Sequence, residues 1–128
     1  MTIILDAINI SPLLRAQKSL LKVMQKEKDE FIRDSAIQRF EYTFELAWKV
    51  MKRILAYKGI FVTGTKDIFR YSFKENIISD PSIWFAFLEA RNKSSHSYNE
   101  DTADQIYEII KVFIPELQIF LNKIEKIQ

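Results

Sequence analysis

The chain has 128 residues, 48% of them hydrophobic and 28% charged, with a net charge of +2 and no cysteine. That length and apolar content predict one folded domain, residues 1–128, with a core that needs no covalent staples, and they exclude a disordered chain. The absence of cysteine excludes disulfides and thiol chemistry, while the slight positive charge permits a polyanionic partner without requiring one.

The opening MTIILDAINISP is apolar, but it carries Asp6 and lacks a basic leader, so it does not read as a signal peptide. No apolar run approaches the ~20 residues that span a bilayer. A cytoplasmic protein with no membrane partner is expected.

Ser11-Pro12 has the pattern of an N-cap followed by proline in the first turn. The segment after it sets Leu13, Leu14, Leu20, Leu21 and Met24 largely on one side, which predicts an amphipathic helix over 12–27. The longest helix is expected from Glu30 to Tyr57. There Ile37, Phe40, Phe44, Ala47, Trp48, Met51, Ile54 and Leu55 recur at spacings of three and four, and Gly59 supplies a left-handed stop. A short helix over 66–76, capped by Thr65, follows the turn FVTGT. Asp80-Pro81 then opens a fourth helix, whose Trp84, Phe85, Phe87 and Leu88 spread over more than one face. An apolar surface that wide predicts two neighbours, the core and a second subunit. Thr102 and Gln105 have the spacing of a capping box and predict a last helix over 103–126, kinked at Pro115. No strand pattern, repeat or linker is evident. The fold expected is all-α, an antiparallel up-and-down bundle of four main helices and one short one.

The one histidine lies in RNKSSHSYNE, residues 91–100. Ser94, Ser95, Ser97 and Asn99 favour caps and turns, so Arg91 is expected to end a helix while His96 and Tyr98 occupy the turn after it. A turn can fold the imidazole back toward the guanidinium. Histidine moves protons near neutral pH, and arginine clamps a phosphate through paired hydrogen bonds. The pair suffices for metal-free RNA cleavage, with His96 as acid or base and Arg91 stabilising charge on phosphorus. Residue types alone leave a second reading open, in which Arg91 pairs with a carboxylate and His96 and Tyr98 merely cap a loop.

The pattern R-x4-H-x-Y, standing here as Arg91, His96 and Tyr98, resembles the signature of the HEPN superfamily and its HepT branch. IQRFEYTFELAWK, residues 37–49, and WFAFLEARNKSSHSYNE, from Trp84, are similar to the two signatures of the nucleotidyltransferase substrate-binding group. The likeness extends over nearly the whole chain. It implies a HEPN-like helical homodimer whose two R-x4-H motifs meet at a shared cleft. It also implies a minimal nucleotidyltransferase partner of the MNT type, the antitoxin of a toxin–antitoxin pair. On that resemblance Arg91 and His96 are the catalytic pair of a ribonuclease acting on RNA, Asn92 and Tyr98 line the cleft, and Tyr98 accepts AMP from the partner. The alternative it leaves is a non-catalytic subunit that binds the nucleotidyltransferase's substrate.

Other residues point elsewhere only weakly. Glu41 and Glu45 stand one turn apart without a neighbouring histidine, so no metal is expected; an arginine from another helix, Arg39 or Arg91, is the expected partner. Trp48 and Trp84 lie on apolar faces and are expected to pack in the core or an interface. The Lys-rich segment from 18 to 28, with Glu27 within it and Asp29 just after it, reads as a solvated face. No phosphate-binding glycine loop or other cofactor motif is present in the sequence.

Overall fold

The computed structural model describes residues 1–127. Its elements in order are β1 (Ile3–Ile4), β2 (Ile8–Asn9), α1 (Ser11–Met24), α2 (Glu30–Tyr57), α3 (Thr65–Lys74), α4 (Pro81–Lys93), a 3-10 turn (Ser94–His96) and α5 (Glu100–Glu125). The all-α bundle is as expected, and α2 is its axis: α1, α3, α4 and α5 all pack on it.

Two short strands correct the reading that no strand exists. β1 and β2 pair antiparallel, Ile3 with Asn9 and Ile4 with Ile8. Leu5 and Asp6 make the turn with positive φ, conformations that glycine or asparagine would ordinarily signal. The hairpin also shifts the start of α1. Ser11 is its first residue rather than its cap, because the Ser11 hydroxyl is already accepting the N–H of Thr2 at 2.6 Å. At its other end α1 stops at Met24, earlier than expected, since residues 25–29 are all exposed and bury nothing that would prolong it.

Asp29 caps α2, its Oδ1 accepting the N–H of Ile32 at 2.7 Å. The helix ends as predicted. Gly59, at φ +82°, lets its own N–H reach the carbonyl of Ala56 and that of Ile60 reach Leu55, which satisfies two terminal carbonyls. Asn76, at φ +59°, closes α3 the same way, so that helix ends at Lys74 rather than at 76. Its start is also corrected: Thr65 is helical and Gly64 precedes it. Asp80 caps α4 as predicted, accepting the backbone N–H of Ser82 at 2.9 Å and its hydroxyl at 2.7 Å. These bonds hold the Asp80 carboxyl below its ordinary range.

The start of α5 differs by three residues. Asn99 is the cap, its Oδ1 accepting the N–H of Thr102 at 3.0 Å, and Glu100 and Asp101 complement the helix dipole in the first turn. The Thr102–Gln105 pair therefore lies inside the helix. α5 runs on through Pro115, which sits on the exposed face, where solvent can reach the carbonyl of Lys111 that proline leaves unbonded.

The core is aromatic. Trp84 lies edge-on to Phe87 at 5.2 Å and to Phe113 at 5.9 Å, while Phe40 meets Phe113 at 5.0 Å. Trp84 and Phe87 thus face the interior, and Phe85 and Leu88 are half-buried at its margin. No helix among the described residues is long and apolar enough to cross a membrane.

Candidate functional site

Arg91 closes the last turn of α4, and the chain leaves the helix through the 3-10 turn. Serines make that departure. The Ser94 hydroxyl donates to the carbonyl of Arg91 at 2.6 Å, and the Ser95 hydroxyl to that of Asn92 at 3.2 Å. Both hydroxyls therefore bond carbonyls in the last turn of α4, that of Arg91 also accepting the N–H of Ser94. The turn brings His96 and Tyr98 together: Nδ1 lies 3.3 Å from the phenol oxygen, and the rings meet edge to face at 5.9 Å. Both side chains are exposed, Tyr98 at 81%.

Arg91 is directed differently. Its Nε donates to Oε1 of Glu45 on α2 at 3.1 Å, and the other carboxylate oxygen accepts the indole N–H of Trp48 at 3.1 Å. Among the described residues no hydrogen bond links Arg91 to His96 or Tyr98. Because Glu45 takes only Nε, the two terminal nitrogens of the guanidinium remain available to a ligand. Of the two arginines expected to meet a carboxylate from α2, Arg91 does. Arg39 instead bonds Ser19 and Ser35. Asn92 is exposed and, with Lys66, Phe85, Leu88 and Glu89, lines a shallow hollow of about 290 Å³ on the α3 side, and no bond joins it to the His96–Tyr98 pair.

A second cluster escapes a reading of the sequence. Arg33 of α2, only 4% exposed, reaches Glu100 and Asp104 in the first turns of α5, and Lys28 joins Asp104 at 3.1 Å. The Glu100 hydrogen bond, chiefly, raises the Arg33 pKa, and Arg33 in turn lowers that of Glu100. Asp104 is lowered by Lys28 first and Arg33 second. The cluster pins the downstream end of the motif turn to α2, four residues after His96. Its signal is present: residues 33, 37, 40 and 44 share the spacing of the buried stripe, with arginine at its head.

The Arg-x4-His-x-Tyr turn thus stands at one end of a helical bundle, between α4 and α5. The model of the nucleotidyltransferase substrate-binding protein-like family matches residues 8–126, and the chain belongs to that family. A relative in Haemophilus influenzae, named "Probable ribonuclease HepT", is 35% identical over 96 residues. The match spans 71% of this chain and 66% of that protein, slightly under two thirds of its length. Among solved structures, one from Haemophilus influenzae is 30% identical with a TM-score of 0.85, covering 92% of this chain and 100% of that one. It is described as the fold of a substrate-binding domain of a nucleotidyltransferase. A structure from Thermus thermophilus, 24% identical, superposes with a TM-score of 0.78 over 87% of this chain and 99% of that one, and shares the fold.

Proposed function

We propose that this protein is a metal-independent ribonuclease, the toxin of a pair whose antitoxin is an MNT-type nucleotidyltransferase. The observation that carries the reading is the exposed His96–Tyr98 pair in the turn that follows the helix end of Arg91, an arginine held by one nitrogen only. In the reaction, the 2′-hydroxyl oxygen bonds to the adjacent phosphorus as the bond to the 5′-oxygen breaks. His96 takes the hydroxyl proton or supplies one to the leaving oxygen, and Arg91 stabilises the charge between. One product ends in a cyclic phosphate. Asn92 is assigned to the cleft that holds the RNA.

The partner silences the toxin by transferring AMP from ATP to the Tyr98 oxygen with release of pyrophosphate. The exposure of the phenol supports this, and the added phosphate would bring bulk and negative charge to the turn that carries His96, obstructing the site and repelling RNA. The working form is a homodimer in which two motifs share one cleft, with Phe85 and Leu88 of α4 at its interface. Size-exclusion chromatography of Phe85→Asp tests that face, and an unchanged dimer overturns it.

One observation favours a second reading, a binding subunit without catalysis: within a single chain Arg91 is bonded to Glu45 and not to His96. RNA cleavage by the unmodified protein beside His96→Ala separates the two. Cleavage that depends on His96 supports the ribonuclease, and no cleavage by either supports the subunit.

A further inference from the structure

The geometry points to a single-stranded RNA track along α2, formed by Trp48, Lys49, Lys52 and Arg53, that feeds the phosphate held at Arg91. The inference rests on the ribonuclease reading for its ligand. At about 100° and 1.5 Å per residue, Glu45, Trp48, Lys49, Lys52, Arg53 and Ala56 fall within about 140° of one helix face. Lys49, Lys52 and Arg53 then stand roughly 6, 10.5 and 12 Å along the axis from Glu45.

The last five of those residues line an open hollow of about 410 Å³. Its three cations are exposed, and none is in a salt bridge among the described residues, whereas Lys28, Lys58, Arg70, Lys93 and Lys111 all have carboxylate partners. Trp48 adds an aromatic ring, half-buried, with the Lys49 ammonium 5.8 Å from its centre. Unpaired cations beside an aromatic ring suit a strand with bases to stack and phosphates to neutralise. The Glu45 carboxylate fixes where the track begins, since it holds Trp48 with one oxygen and Arg91 with the other. The α1 side also has unpaired lysines, Lys22 and Lys26, around a hollow of about 280 Å³, but that hollow has no aromatic ring and no link to Arg91.

The test is fluorescence anisotropy of a labelled single-stranded oligoribonucleotide with the full chain carrying His96→Ala, so that binding is read without cleavage. Adding Lys52→Ala and Arg53→Ala is expected to weaken binding on the order of tenfold. It should also flatten the dependence of log affinity on log salt by about 1.4, or about 0.7 for each lost phosphate contact. The charge-matched Lys22→Ala, Lys26→Ala control is expected to bind as its parent does. RNA is also expected to quench tryptophan emission, a signal that Trp48→Phe removes because Trp84 is fully buried.

Equal losses in both double variants, unchanged binding in the α2 variant, or no binding by the parent would overturn the track. So would a variant that keeps RNA but loses the dimer or the nucleotidyltransferase, which would make the face a protein contact. A wild type that binds RNA through α2 yet cleaves nothing would overturn the ribonuclease and leave the track standing.

Discussion

Arg91 and Glu45, 46 residues apart, join α4 to α2 through a single bond from Nε to Oε1, and the second oxygen of that carboxylate secures Trp48. The guanidinium is thereby aimed without being used up. Glu45→Ala removes both acceptors, and RNA cleavage is expected to fall about tenfold, the scale of one charge-assisted hydrogen bond. Glu45→Gln keeps one acceptor and should lose less. Single-turnover cleavage rates check the order; equal rates in all three proteins would mean that Glu45 does not position Arg91.

Arg33 predicts a pH dependence of stability. Glu100 and Asp104 have lowered pKa values in the folded chain, so they bind fewer protons there than when unfolded. The stability they contribute is complete above the ordinary carboxylate range and is lost as pH falls through the lowered values. Thermal unfolding from neutral pH into the acid range should therefore show the wild type losing more Tm than Arg33→Met, with the two curves converging at the acid end. Parallel curves would contradict the assignment.

Gly59 isolates a backbone effect. A Cβ there would meet nothing within 4 Å, yet φ is +82°. Gly59→Ala is expected to destabilise by about 1 kcal/mol through strain alone. Urea unfolding should show a lower midpoint with an unchanged slope, and an unshifted midpoint would refute it.

Tyr98→Phe separates modification from catalysis. The variant lacks the oxygen that would accept AMP but keeps His96, so it should still cleave RNA, at a rate lowered by the lost contact with Nδ1 of His96. Intact mass after incubation with the nucleotidyltransferase and ATP should not change. A mass increase of one AMP on this variant would place the acceptor elsewhere.

How much of the molecule is legible in its sequence depends on the distance over which each feature acts. Asp80-Pro81 and Gly59 announce their helix ends because cap chemistry is local, within a turn of the chain. The start of α5 is ambiguous because two candidate caps, Asn99 and Thr102, lie three residues apart, and the N–H of Thr102 is the donor that Asn99 takes. The hairpin is unreadable because leucine and aspartate occupy its left-handed turn. The excess apolar surface of α4 is two-faced as its sequence implies, yet Trp84 and Phe87 are core while Phe85 and Leu88 stay at the margin. At the site, the closeness of His96 and Tyr98 follows from serines that end a helix. The pairing of Arg91 with Glu45 depends on how α4 crosses α2, so the sequence narrows the partner to Arg39 or Arg91 without choosing between them. Arg33 shows the reverse case, where burial on a visible stripe is legible and its partners are not.

The most direct measurement is digestion of total cellular RNA by the purified protein, confirmed by intact mass to carry no AMP, beside His96→Ala. Cleavage by the wild type alone, leaving cyclic-phosphate ends in the presence of a metal chelator, is the predicted result. Intact RNA with both proteins, or equal cleavage by both, would contradict a ribonuclease built on His96.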